Sequence, residues 1–101
     1  MEIYYLLVEA VPDHNNPERQ EFGGAYINCW VKATTKEDAV TRTKAYIAAE
    51  NWTFVKILDV FIAQKQLYAD EPDSAVCYDE ACENGISAFF YTWSIDPDNN
   101  T

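Results

Sequence analysis

The sequence lacks most of the features that usually identify an enzyme. Only three of its 101 residues are glycine and only one is histidine, and no glycine-rich run that could cradle a phosphate is present. His14 has no second metal ligand beside it, and Ser74, Ser87 and Ser94 belong to no nucleophile motif. We therefore expect no catalytic residue, no metal site and no cofactor, and we predict that the protein is not an enzyme.

Cysteines and long apolar runs are also scarce. The three cysteines, Cys29, Cys77 and Cys82, are odd in number, and the last two would lie about 140° apart on a helix, too far to share a zinc ion. No run of about 18 apolar residues is present, and Glu2 and Glu9 make the N-terminal segment unlike a secretory signal. We expect a cytoplasmic protein with reduced thiols and no membrane span.

Positive charge is missing from the last third of the chain. Residues 1–65 contain nine acids and all seven bases, whereas residues 66–101 contain eight acids and no base, within a net charge of −10. Such a field repels nucleic acids and anionic membranes, and it favours a cationic partner.

The middle of the chain predicts strand, helix and strand in succession. Residues 25–33 alternate between small or apolar side chains at odd positions and Tyr, Asn, Trp and Lys at even positions, as a strand with one core face does. Thr34 and Thr35 can each cap a helix, with an acid three residues later. The helix is predicted over residues 35–50, with Asn51 in a left-handed conformation at its end.

The other predicted elements are three more strands, a loop and a second helix. Residues 2–11 and 53–65 are apolar on both faces, which indicates interior strands, the latter bent near Asp59. Residues 86–95 form the last strand. Residues 12–23 are a long loop of undetermined role, and residues 73–84 form an acidic helix that ends at Gly85.

The element order, β-β-α-β-α-β, predicts an α+β fold. The economical packing is a two-layer sandwich in which a four-stranded, mainly antiparallel sheet carries both helices on one face. We expect residues 1–95 to form a single domain and residues 96–101 to be a polar C-terminal tail.

Aromatic side chains would then lie on the sheet face away from the helices. A two-layer domain cannot cover that many rings by itself, which predicts an interface with a second copy or a partner, unless loop 12–23 and the tail fold over it. Open-face rings also occur in readers of single-stranded RNA, but those proteins need a basic groove that is lacking here. The predicted interface residues are Tyr26, Trp30, Phe89, Tyr91 and Trp93.

The acids around the second helix are the other candidate surface. A calcium loop is not indicated, because the alternating oxygens and central glycine of such loops are absent. The set can be a solvated helix face or a docking surface for a basic protein. Its members are Asp70, Glu71, Asp73, Asp79, Glu80 and Glu83.

These two surfaces predict a small acidic protein-binding module. We expect an inhibitor or immunity-type protein that occupies a basic partner protein, with no nucleic acid and no membrane involved. The alternative is a small homodimeric structural domain whose aromatic sheet face is the subunit interface.

Overall fold

Four strands and two helices follow one another in the predicted order. The computed structural model describes residues 1–95, and the predicted tail, residues 96–101, lies outside them. A 3-10 turn, Lys65–Tyr68, precedes the second helix. The elements are β1 (Glu2–Pro12), β2 (Phe22–Ala33), α1 (Lys36–Ala49), β3 (Trp52–Ala63), α2 (Pro72–Asn84) and β4 (Ile86–Ser94).

The strands form one antiparallel sheet in the order β3-β1-β2-β4. The α+β class, the four-stranded antiparallel sheet and the two helices are therefore confirmed. β1 is central, as its two apolar faces indicate. β3 lies at an edge, contrary to the prediction of an interior strand, and it leaves Val55, Leu58, Phe61 and Ile62 exposed. Its register slips twice, opposite Leu7/Val8 and opposite Glu9/Ala10, and the first slip lies beside Asp59, where the bend is predicted.

The first helix covers one face of the sheet. Even positions of β1 and odd positions of β2 point to this face, and they form a core with Ala39 and Ile47 of α1 and with Trp52. The Thr35 side chain caps α1 by accepting a hydrogen bond from the Asp38 amide at 3.0 Å. Asn51 has a φ of 67°, the left-handed conformation predicted at the end of this helix.

The second helix covers the opposite face, which corrects the expectation that both helices share one face. Cys77 and Ala81 of α2 pack with Ile3, Trp30 and Ala63 in a separate core cluster. The physical reason is that β1 and β2 have large apolar side chains on both faces, so each face must be removed from water. The periodicity of a helix identifies its apolar stripe but not the sheet face that the stripe meets.

Substitution of Thr43 by valine should stabilise the protein. Thr43 lies on the core side of α1 with 1% of its surface exposed, and its hydroxyl has no hydrogen-bond partner within residues 1–95. Replacing that hydroxyl by a methyl group removes the desolvation cost, so Thr43→Val should raise the free energy of unfolding by about 1 kcal/mol in urea titrations. Thr43→Ser, which keeps the hydroxyl and loses a methyl, should lower it by about 1 kcal/mol. A less stable valine variant would contradict this account.

The buried thiol of Cys29 should make stability fall at high pH. Burial raises the pKa of Cys29 from 9.0 to about 12, so the unfolded chain loses this proton first. The stability that comes from keeping this thiol protonated is fully present below pH 9, and it is lost as pH rises towards 12. In urea titrations across that window, Cys29→Ala should show a slope shallower by about 1.4 kcal/mol per pH unit than the unsubstituted protein. Equal slopes for the two proteins would refute this assignment.

Candidate partner-binding surface

The second helix is attached to the sheet through the preceding 3-10 turn. The indole Nε1 of Trp30 donates a buried hydrogen bond of 3.0 Å to the Tyr68 hydroxyl, and the two rings meet edge to face. Gly85, at φ 96°, ends α2, and Lys32 Nζ donates to the Cys82 carbonyl near that end. These contacts seat α2 over one end of the sheet and leave the other end of that face open.

The six predicted carboxylates lie on one connected segment, and all of their residues are exposed. We call this set the acidic ridge: Asp70 and Glu71 in the turn before α2, Asp73 in its first turn, and Asp79, Glu80 and Glu83 further along it. Among residues 1–95, Asp79 is the one member in an ion pair, with Lys65 at 3.0 Å. Glu80 accepts a hydrogen bond from Ser87.

The five predicted interface aromatics separate into two groups. Trp30 is only 3% exposed, because α2 covers it and Tyr68 accepts its N–H, so its assignment to an interface is wrong. Phe89 is partly buried against the same cluster. Tyr26, Tyr91 and Trp93 remain 44%, 59% and 37% exposed.

One ring outside the predicted set is also exposed on this face, opposite Tyr5 in the row of Trp30 and away from the open end. Phe61 of β3 is exposed, and its ring lies 4.9 Å from that of Tyr5. The sequence contains no signal for this residue, because its position depends on the register of β3 against β1. We call the exposed rings at the open end the open aromatic face: Tyr26, Tyr91 and Trp93.

A glycine shapes one end of the open aromatic face. A Cβ atom at Gly24 would lie 2.3 Å from the Trp93 ring, so the indole can lie directly on the backbone of β2. The Trp93 and Tyr26 rings are then 4.9 Å apart. Tyr26 is also paired with Tyr91 across β2 and β4. The three rings therefore form one exposed cluster.

The ridge and the open aromatic face meet at a small cavity. Asp73 and Ser74 of α2 line a space of about 40 Å³ together with Phe89 and Tyr91 of β4. Burial raises the pKa of Tyr5, on the same sheet face, to about 12, and the neighbouring Tyr68, Asp59, Cys29 and Glu71 add to the rise. Lys56, also on this face, is 3.9 Å from Glu9.

None of the family models, curated proteins or solved structures compared with this chain matches it. Within residues 1–95 there is no helix whose length and hydropathy would let it cross a bilayer. The same part of the chain has no group of three or more His, Cys, Asp or Glu side chains placed to hold a metal ion.

Removal of the Tyr68 hydroxyl should destabilise the protein because it leaves the buried Trp30 N–H without an acceptor. We expect Tyr68→Phe to lower the free energy of unfolding by about 1–3 kcal/mol in urea. Tyr78→Phe is the matched control, since the Tyr78 hydroxyl makes no side-chain hydrogen bond among the described residues, and it should change stability much less. Equal effects of the two substitutions would show that this bond does not hold α2 on the sheet.

Proposed function

We propose that this protein is a small acidic binding module that occupies a basic protein partner, as an inhibitor or immunity-type protein does. The observation that supports the proposal is the junction of the acidic ridge with the open aromatic face at Asp73 and Tyr91. Carboxylates and exposed rings adjoin there, and most of the carboxylates have no cationic neighbour in residues 1–95.

The charge of the ridge suits fast association with a basic surface. The whole chain has a net charge of −10, and Lys65 is the one base within ion-pair distance of a ridge carboxylate in the described part of the chain. Exposed carboxylates of this kind add little to folding stability. They raise the rate of encounter with a cationic partner, and that rate falls steeply with salt.

The rings supply what exposed carboxylates lack, which is apolar area that a partner can remove from water. Tyr and Trp are enriched at the centres of protein interfaces. Their faces also attract arginine and lysine side chains, with arginine the commoner partner. A basic side chain lying on Tyr91 would therefore meet both a ring and the ridge carboxylate of Asp73.

The alternative is a homodimer joined through the open aromatic face. The exposure of Tyr26, Tyr91 and Trp93 favours this arrangement as well. A second copy would, however, bring another charge of −10 to a face that the acidic ridge borders, and this like-charge repulsion opposes association. A basic partner is the better occupant for that reason.

A reducing compartment agrees with the cysteines. All three are free thiols, and Cys29 and Cys77 are buried in the two cores. We place the protein in the cytoplasm as part of this proposal.

Charge reversal on the ridge should abolish capture of the partner. Glu80→Lys combined with Glu83→Lys leaves the Lys65–Asp79 pair intact, while it removes negative charge from the ridge. The tagged protein should retain a basic protein from native lysate at low salt and release it at high salt, and this double variant should retain none.

The matched control is Glu21→Lys combined with Glu37→Lys, two exposed residues outside the ridge with the same change in net charge. Equal loss in both variants would mean that bulk charge, not the ridge, captures the partner. Capture that persists in the ridge variant would overturn the proposal. Light scattering after size exclusion tests the alternative, which requires a stable dimer that forms without a partner.

A further inference from the structure

A cleft on the other face of the sheet has the features of a cation site. It encloses about 390 Å³ beside the end of α1, between the loop of residues 13–21 and β4. Two glutamates and three aromatic residues are among those that line it: Glu18, Glu50, Phe22, Trp52 and Phe90. Phe90 and Trp52 belong to the α1 side of the sheet, so the cleft is separate from the acidic ridge.

The loop wall of the cleft is held firmly against the end of α1. Asn16 is only 5% exposed, and its Nδ2 donates to the Asn51 carbonyl at 3.0 Å. Its Oδ1 accepts from the Glu18 amide at 2.9 Å, and the Asp13 amide donates to the same Asn51 carbonyl. These bonds fix the backbone that carries Glu18 relative to the backbone that carries Glu50. The backbone of the site is therefore held in place before any ligand arrives.

The apolar side of the cleft is aromatic. The rings of Trp52 and Phe90 lie 5.9 Å apart, and Phe22 packs partly buried against the same core. Ring faces of this kind attract cations, and they also provide a surface for the aliphatic part of a ligand.

The polar side of the cleft is negative and has no counter-charge. No lysine, arginine or histidine lines the cleft among residues 1–95. The last turn of α1 contains no base, so the partial negative charge at its C-terminus adds to that of Glu18 and Glu50. The contrast with α2 is informative, because Lys32 donates to the Cys82 carbonyl near the end of that helix.

We infer that this cleft binds an organic cation, a guanidinium or ammonium group on a short aliphatic chain. The carboxylates and the helix end attract the charge, while the rings bind the charged group and its chain. A volume of about 390 Å³ is sufficient for one such side chain. An anion would meet only repulsion here. The cleft and the proposed partner surface lie on opposite faces of the sheet, so neither depends on the other.

The direct test is titration with L-argininamide, and L-citrullinamide is the control because it has nearly the same shape with an uncharged urea group. Argininamide should bind saturably and at least about tenfold more tightly than citrullinamide. Changes in backbone amide chemical shifts should be confined to residues 13–22, 49–52 and 90–92. Equal affinities, or shift changes spread over the acidic ridge, would overturn the inference.

Substitutions of glutamate residues test whether argininamide binds in the cleft. Glu18→Gln combined with Glu50→Gln keeps size and shape and should weaken argininamide binding about tenfold. Glu2→Gln combined with Glu37→Gln removes the same charge at two exposed residues that do not line the cleft, and it should leave the affinity unchanged. The ridge variant Glu80→Lys/Glu83→Lys should also bind normally, so failure of this inference and failure of the proposed function give different results. A loss in the control equal to that in the cleft variant would show unspecific attraction and reject the site.

Discussion

The central strands β1 and β2 bury apolar side chains on both faces, and this two-sided burial obliges the chain to place a helix against each face. Leu6, Val8, Ile27 and Val31 require cover on one side, and α1 supplies it. Ile3 and Trp30 require cover on the other side, and α2 supplies it together with the 3-10 turn. Burial of this kind is the main favourable term in folding. The fold therefore has three layers, with the sheet between α1 on one face and α2 on the other.

Neither helix is long enough to cover the full length of the strands beneath it. A helix of 13 residues, such as α2, is about 20 Å long, whereas strands of 11 or 12 residues, such as β1 and β3, extend about 35–40 Å. One end of the α2 face therefore stays open, and the exposed rings of Tyr26, Tyr91 and Trp93 lie there. On the other face, the end of α1 leaves room for the cleft beside Phe90 and Trp52. Both candidate sites occur where a short helix stops over a longer strand.

The same chemistry recurs at these two places. Each combines aromatic rings with carboxylates, and within residues 1–95 few bases stand near either one. The sequence does not indicate a role for the loop of residues 13–21. In the structure this loop forms one wall of the cleft, because Asn16 is hydrogen-bonded to the Asn51 carbonyl. In this chain, whose net charge is −10, some acidic side chains thus lie beside exposed or partly exposed aromatic rings. Surfaces of this composition suit basic side chains better than anions or bare hydrocarbon.

The sequence by itself determined the local features: the alternation of β2, the Thr35 cap, the left-handed Asn51 and Gly85, and the exposure of the acids from Asp70 to Glu83. Each depends on the period or conformation of a few neighbouring residues, so it can be read without knowing the partners. Only the tertiary structure decided which face α2 covers, that Trp30 is core, that β3 is an edge strand and that Phe61 is exposed. These depend on strand order and register between residues far apart in the chain, and a strand with two apolar faces is compatible with several orders.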